Sequence, residues 1–277
     1  MNSSITYKEL KKIVSWGIFN RKMKNNGCDT TELESHKITK AVHGGIYIGS
    51  PGKDIYYMFP YLTKEQMKEI AKIINEKFPK KPPENYSNVA AFIRFIYGQF
   101  EKQGILRSEK DFERMKKEKP DWSISREFLW YLFEELRKDN NYYGLTMLHE
   151  MEGHRCGDEA LIYENKKKLE QMEINYWLCI EFAKKCDSYK HLFSIDYWAG
   201  EYFKKFGDEK KALEHYKKAI INSKKYYYKY FPNGEQYYKE RLLKSLWLFK
   251  KEDNKFYNKY KKIKFLGINY EKYIRFL

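Results

Sequence analysis

The chain has 277 residues, 54 Lys+Arg against 38 Asp+Glu, and a net charge of +16. Hydrophobic residues make up 42% and aromatic residues 18%, ample for a packed core, so fully disordered and collagen-like chains are excluded. No apolar run approaches the roughly 20 residues of a membrane helix, and residues 1–9 lack the charged-then-apolar pattern of a signal peptide, so a soluble, cytoplasmic protein without a membrane partner is expected.

In chain order, Thr6-Tyr7-Lys8-Glu9 is a capping box that opens a helix ending at Asn25-Asn26-Gly27. Two β-rich runs, 45–49 and 55–59, flank Ser50-Pro51-Gly52-Lys53-Asp54 and predict a β-hairpin. Thr63-Lys64-Glu65-Gln66 repeats the capping box and launches an amphipathic helix to about Phe78. Residues 80–83, with two adjacent prolines, mark a linker, and a further helix is predicted over 87–104. After Pro120 the pattern is helical throughout. Phe128, Leu129, Leu132, Phe133 and Leu136 place an apolar face on a helix over 123–138. A helix over 143–156 follows, with Gly157-Asp158 predicted as a break and Asp158 as the N-cap of the next helix. Residues 159–186 contain no Gly or Pro and read as one long helix or two with a tight joint. Helices over 196–206, 209–225, 235–250 and 254–264 complete the series, with Pro232-Asn233-Gly234 as a loop. The fold class implied is mainly α: an N-terminal α-rich part with one β-hairpin (1–120), then a C-terminal stack of antiparallel helix pairs (121–277).

Between 196 and 225 the spacing becomes specific. Gly200, Phe203, Gly207-Asp208, Ala212, Tyr216 and Ala219 place small residues and aromatics on two helices joined by a Gly-Asp turn, and this segment resembles a tetratricopeptide repeat. Such repeats bury their faces against neighbours, and the flanking stretches around Gly157-Asp158 and Glu252-Asp253 resemble it only loosely. The resemblance implies a surface for a protein or peptide partner, with no chemistry or cofactor of its own.

Charge adds to that expectation. Residues 201–277 carry 21 Lys/Arg against 9 Asp/Glu, +12 of the total +16, and 12 of the 26 tyrosines. Lysines attract phosphates and carboxylates and tyrosine rings stack on unpaired bases, so a non-enzymatic interaction protein for an acidic or phosphate-rich protein, peptide or nucleoprotein partner is expected, with direct single-stranded nucleic-acid binding as the alternative. Lys, Asn, Tyr and Ile are equally what an AT-rich coding sequence over-uses, and Arg241 and Arg275 are the only arginines here. Tyr202, Lys205, Tyr227, Tyr238 and Arg241 are the candidate binding residues.

For chemistry, the densest polar cluster spans 148–159. His149 and His154 are five apart, about 140° around a helix, so they do not form a zinc-protease pair. Glu150, His154 and Asp158 are co-facial at four-residue steps and are the candidate metal ligands, with His191, Asp196 or His215 completing a site. A metal-dependent enzyme at Glu150 and His154 is therefore a second alternative to the interaction protein. The structural alternative is a helix pair of Glu150 with His154. Cys28, Cys156, Cys179 and Cys186 include no C-x-x-C pair, which points to reduced thiols. Residues 49–53 lack the length and trailing Ser/Thr of a P-loop.

Overall fold

The computed structural model describes residues 64–82, 113, 116–117, 123–230 and 236–261. The chain divides into two compact units, Met1–Met151 and Glu152–Leu277. The long described helices are α1 (Lys64–Lys77), α2 (Ser123–Lys138), α3 (Tyr142–Tyr163), α4 (Lys166–Lys185), α5 (Tyr189–Phe206), α6 (Glu209–Tyr230), α7 (Gln236–Glu252) and α8 (Asn254–Lys261). The unit boundary falls within α3.

The fold-class expectation needs one correction. Among the described residues every regular element is helical and no strand is present, so the mainly α part of the expectation holds and the β-hairpin is not seen. The segment 45–59 that carried it lies outside the described residues, as do the helices expected over 6–24 and 87–104.

In the first unit α1 packs on α2. Ile70, Ala71, Ile73, Ile74 and Phe78 are buried, as are Phe128, Leu129, Leu132 and Leu136. Each large apolar side chain so buried contributes about 2 kcal/mol of transfer free energy. Polar contacts set the pairing. Asn75 donates from Nδ2 to Asp139 Oδ2 at 2.8 Å, and Asn141 donates to the Phe78 carbonyl at 3.2 Å. The same Asn141 accepts the Gly144 N–H at 2.9 Å through Oδ1, satisfying an orphan donor at the start of α3.

The second unit is a succession of antiparallel helix pairs, α4 against α5, α5 against α6, α6 against α7 and α7 against α8. Its joints are short, and their chemistry explains why the helices stop. Gly207 adopts φ 92, in the left-handed region, and its N–H bonds the Phe203 and Lys204 carbonyls. Asp208 then accepts the Lys211 N–H at 3.1 Å and starts α6. The expected Gly-Asp turn is thus the observed one. Two further joints use non-glycine residues in the same conformation, Glu164 (φ 51) before the N-cap Asn165 and Asp187 (φ 55) before Ser188. Between α7 and α8, Asp253 accepts the Phe256 N–H at 2.9 Å.

Gly157-Asp158 is no break. It lies inside α3, which runs on to Tyr163, and the joint within 159–186 is at Glu164 and Asn165. A Cβ at Gly157 would meet the Tyr202 ring at 2.6 Å, so an aromatic from α5 occupies the space a side chain would take. The same arrangement recurs twice: Gly153 of α3 receives Tyr176 of α4, and Gly200 of α5 receives Tyr216 of α6. Glycine costs a helix about 1 kcal/mol relative to alanine, and the close ring packing offsets it. Helix α5 begins seven residues before the expected Asp196, and residues 191–200 are all buried, the polar His191, Ser194 and Asp196 included.

Candidate functional site

The polar cluster around His154 is built into the core. His154 is 2% exposed, and its Nδ1 shares a hydrogen bond of 2.8 Å with the Tyr176 hydroxyl. Its ring meets those of Tyr176 and Trp198 edge-on, at centroid distances of 5.6 and 5.5 Å. Tyr202 donates to Asp158 Oδ1 at 2.9 Å and to the His154 carbonyl at 3.0 Å. Asp158 is thus a mid-helix acceptor for α5, and not the expected N-cap. Next to it, Arg155 pairs with Glu152 and Glu159, and Lys168 also reaches Glu159. Burial opposes the Arg155 charge, but the Glu152 and Glu159 carboxylates win and hold its pKa above the ordinary value. Burial, reinforced by Glu152, pushes the neighbouring Cys156 thiol up to about 12, so it stays protonated.

The proposed completing ligands sit elsewhere. His191 Nδ1 shares a 2.6 Å hydrogen bond with Ser188 Oγ. His215 lies between two carboxylates, with Nδ1 3.1 Å from Asp196 Oδ1 and Nε2 3.3 Å from Glu173 Oε1. Lys211 donates to Glu173 Oε2 at 2.6 Å and Asn222 to Asp196 Oδ2 at 3.2 Å, which ties α4, α5 and α6 together. Glu150 is buried on α3. Among the described residues, no group of three or more His, Cys, Asp or Glu side chains is arranged to hold a metal ion.

The candidate binding residues separate. Tyr202 is fully buried, so it is a core residue and cannot belong to a contact surface. Lys205 is exposed in the last turn of α5. Tyr227 lies on α6, and Tyr238 and Arg241 lie on α7.

A concavity that sequence spacing did not signal lies where α7 approaches the α5–α6 joint. It is a cleft of about 280 Å³ walled by Leu213, Trp247 and Leu248, with Ala212 and Tyr216 among its lining residues. Lys204, Glu209, Lys251 and Glu252 complete it. Trp247 is 38% exposed, and Lys250 Nζ stands 4.3 Å from its ring centroid. Tyr216 donates to Glu201 Oε1 at 2.6 Å, and burial together with that carboxylate pushes its ionisation upward, so the ring is neutral and fixed. The cleft has no local signature because its residues come from three helices. Its one sequence hint is the apolar run Leu246-Trp247-Leu248-Phe249 ahead of two lysines.

No helix among the described residues is long and apolar enough to cross a membrane. No protein-family model matches the chain, and no curated protein or solved structure does.

Proposed function

We propose that the chain is a soluble, cytoplasmic, non-enzymatic interaction protein, and that its tetratricopeptide-like helical stack binds an acidic protein or peptide. The observation that carries this reading is a basic, partly aromatic surface on packed antiparallel helices. Helices α6, α7 and α8 together carry 15 Lys/Arg against four Glu. Lys210, Lys218, Lys244, Lys250, Lys255 and Lys259 among these are exposed. Glycine and alanine at the α5–α6 seam let the pair close tightly, which turns polar faces outward for a partner.

Single-stranded nucleic acid is the second reading. It is favoured by lysines set over aromatic rings, such as Lys250 over Trp247 and Lys259 over Tyr260. The two are separated by measuring binding of labelled poly-glutamate, single-stranded RNA, single-stranded DNA and duplex DNA at about 50 and about 200 mM salt. Binding of poly-glutamate ahead of the oligonucleotides is the expected result. Tighter oligonucleotide binding that falls on the order of 10³-fold across that salt range would instead establish several phosphate contacts and the nucleic-acid reading. Binding of none would remove both.

A further inference from the structure

Building on the interaction reading, we infer that the cleft between the α5–α6 joint and the last turns of α7 is a docking pocket for one large apolar side chain of an acidic peptide.

Size decides the class of ligand. At about 280 Å³ the cleft is just below the range of roughly 300–1,000 Å³ typical of small-molecule sites, enough for one side chain and too small for a dinucleotide. Leu213, Trp247, Leu248, Ala212 and Tyr216 give it an apolar floor, with the Trp247 ring partly open to solvent, and Lys204, Glu209, Lys251 and Glu252 make the rest of its lining charged.

The pocket is also held in shape before any ligand arrives. Its Tyr216 ring is pressed against Gly200, where a Cβ would come within 2.6 Å, and its hydroxyl is tied to Glu201. Lys217 of α6 bonds Asp253 Oδ2 at 2.8 Å, fixing the residue that follows α7. Trp247 packs edge-on against Tyr257 at 6.3 Å. A preformed pocket spares the peptide the entropy of ordering its receptor.

Charge selects the rest of the ligand. Lys204 and Lys251 stand on the lining, and Lys205, Lys210, Lys250 and Lys255 are exposed at neighbouring positions of the same or the following helix. Five acids stand nearby, Glu201, Asp208, Glu209, Glu252 and Asp253, and of these Asp253 is neutralised by Lys217. These six lysines outweigh the remaining Glu201, Asp208, Glu209 and Glu252, which favours acidic residues on either side of the apolar anchor. The four charges on the lining itself balance, and Glu209 and Glu252 can accept N–H groups from a peptide backbone, donors that a phosphate chain does not offer. A peptide fits the rim better than a nucleic acid.

The test uses the full chain and two dye-labelled acidic peptides that differ only at the centre, leucine in one and glycine in the other. The leucine peptide should bind about tenfold tighter or more, the worth of burying one such side chain. Leu248→Arg, which fills the cleft, should abolish that preference. Lys204→Glu with Lys251→Glu, both at exposed positions, should weaken both peptides, and Lys166→Glu, at an exposed position of α4, should leave the preference intact. Circular dichroism confirms that each variant is folded.

Equal binding of the two peptides, or a preference that survives Leu248→Arg, overturns the pocket while poly-glutamate binding keeps the interaction reading. Failure of poly-glutamate as well overturns both. Binding of single-stranded RNA that Leu248→Arg abolishes reassigns the cleft to nucleic acid and overturns the peptide.

Discussion

At the scale of single residues, the second unit depends on glycines that hold open space for tyrosine rings. Gly153, Gly157 and Gly200 each face an aromatic ring closer than any real Cβ could stand, and two of the three rings also carry a buried hydroxyl bond. This sets two effects against each other. Replacing Gly157 by alanine gains about 1 kcal/mol of helix propensity, but it drives a methyl into the Tyr202 ring, and overpacking of a tight core costs about 1–3 kcal/mol. Tyr202 cannot retreat cheaply, because its hydroxyl is anchored to Asp158 and the His154 carbonyl. Gly157→Ala should therefore lower the urea midpoint of unfolding. Tyr202→Leu is itself destabilising, since it removes a donor to Asp158, but Gly157→Ala introduced in that background should cost less than it does alone, because the smaller side chain makes room for the methyl. A more stable Gly157→Ala variant would show that propensity wins.

At the scale of elements, the joints decide where helices stop. Gly207 at φ 92 has nothing within 4 Å of where a Cβ would sit, so a substitution there tests backbone strain alone. Gly207→Ala should cost about 1 kcal/mol, from the left-handed conformation only, read as a shift in thermal midpoint. The α7–α8 joint responds to pH. The Lys217 hydrogen bond, helped by the Phe256 N–H, holds the Asp253 carboxyl below its ordinary range. A depressed carboxyl contributes stability above its unfolded value of about 4, and that contribution is lost as pH falls through the lower folded value. An NMR titration should place Asp253 below free aspartate, and Lys217→Met should move it back up. An unshifted Asp253 would mean that the Lys217 contact is not held in solution.

At the scale of the whole molecule, charge and architecture are separate properties. The helical stack is closed by buried apolar and tyrosine side chains, while the lysine surplus of α6 to α8 sits largely on exposed positions. Such a surplus acts through its field on encounter with a partner and not on the fold. Lys250→Glu with Lys255→Glu should therefore slow association with poly-glutamate and flatten its dependence on salt, with the thermal midpoint little changed. Stopped-flow measurements over a salt series would check this. An unchanged association rate would locate the acidic contact elsewhere on the chain.

Reading the sequence alone reached the helices whose apolar face is one-sided and whose ends are marked by side chains. The helix over 123–138 has the bounds expected from its period, and the Gly207-Asp208 turn with its Gly200, Ala212 and Tyr216 seam is where spacing put it. These are local signals, set by residues within a turn or two. Three features depended on partners distant in the chain, and the sequence did not show them. Residues 191–200 are buried all round, the polar His191, Ser194 and Asp196 included, so the first turns of α5 are covered by packing that the sequence does not announce. Gly157 reads as a breaker until the ring of Tyr202, 45 positions on, is seen to fill its place, and that packing also removes Tyr202 from any surface. The cleft is assembled from residues 204 to 252 on three helices, so its existence was decided by how α7 packs beside α6, a question of tertiary geometry that no spacing along the chain encodes.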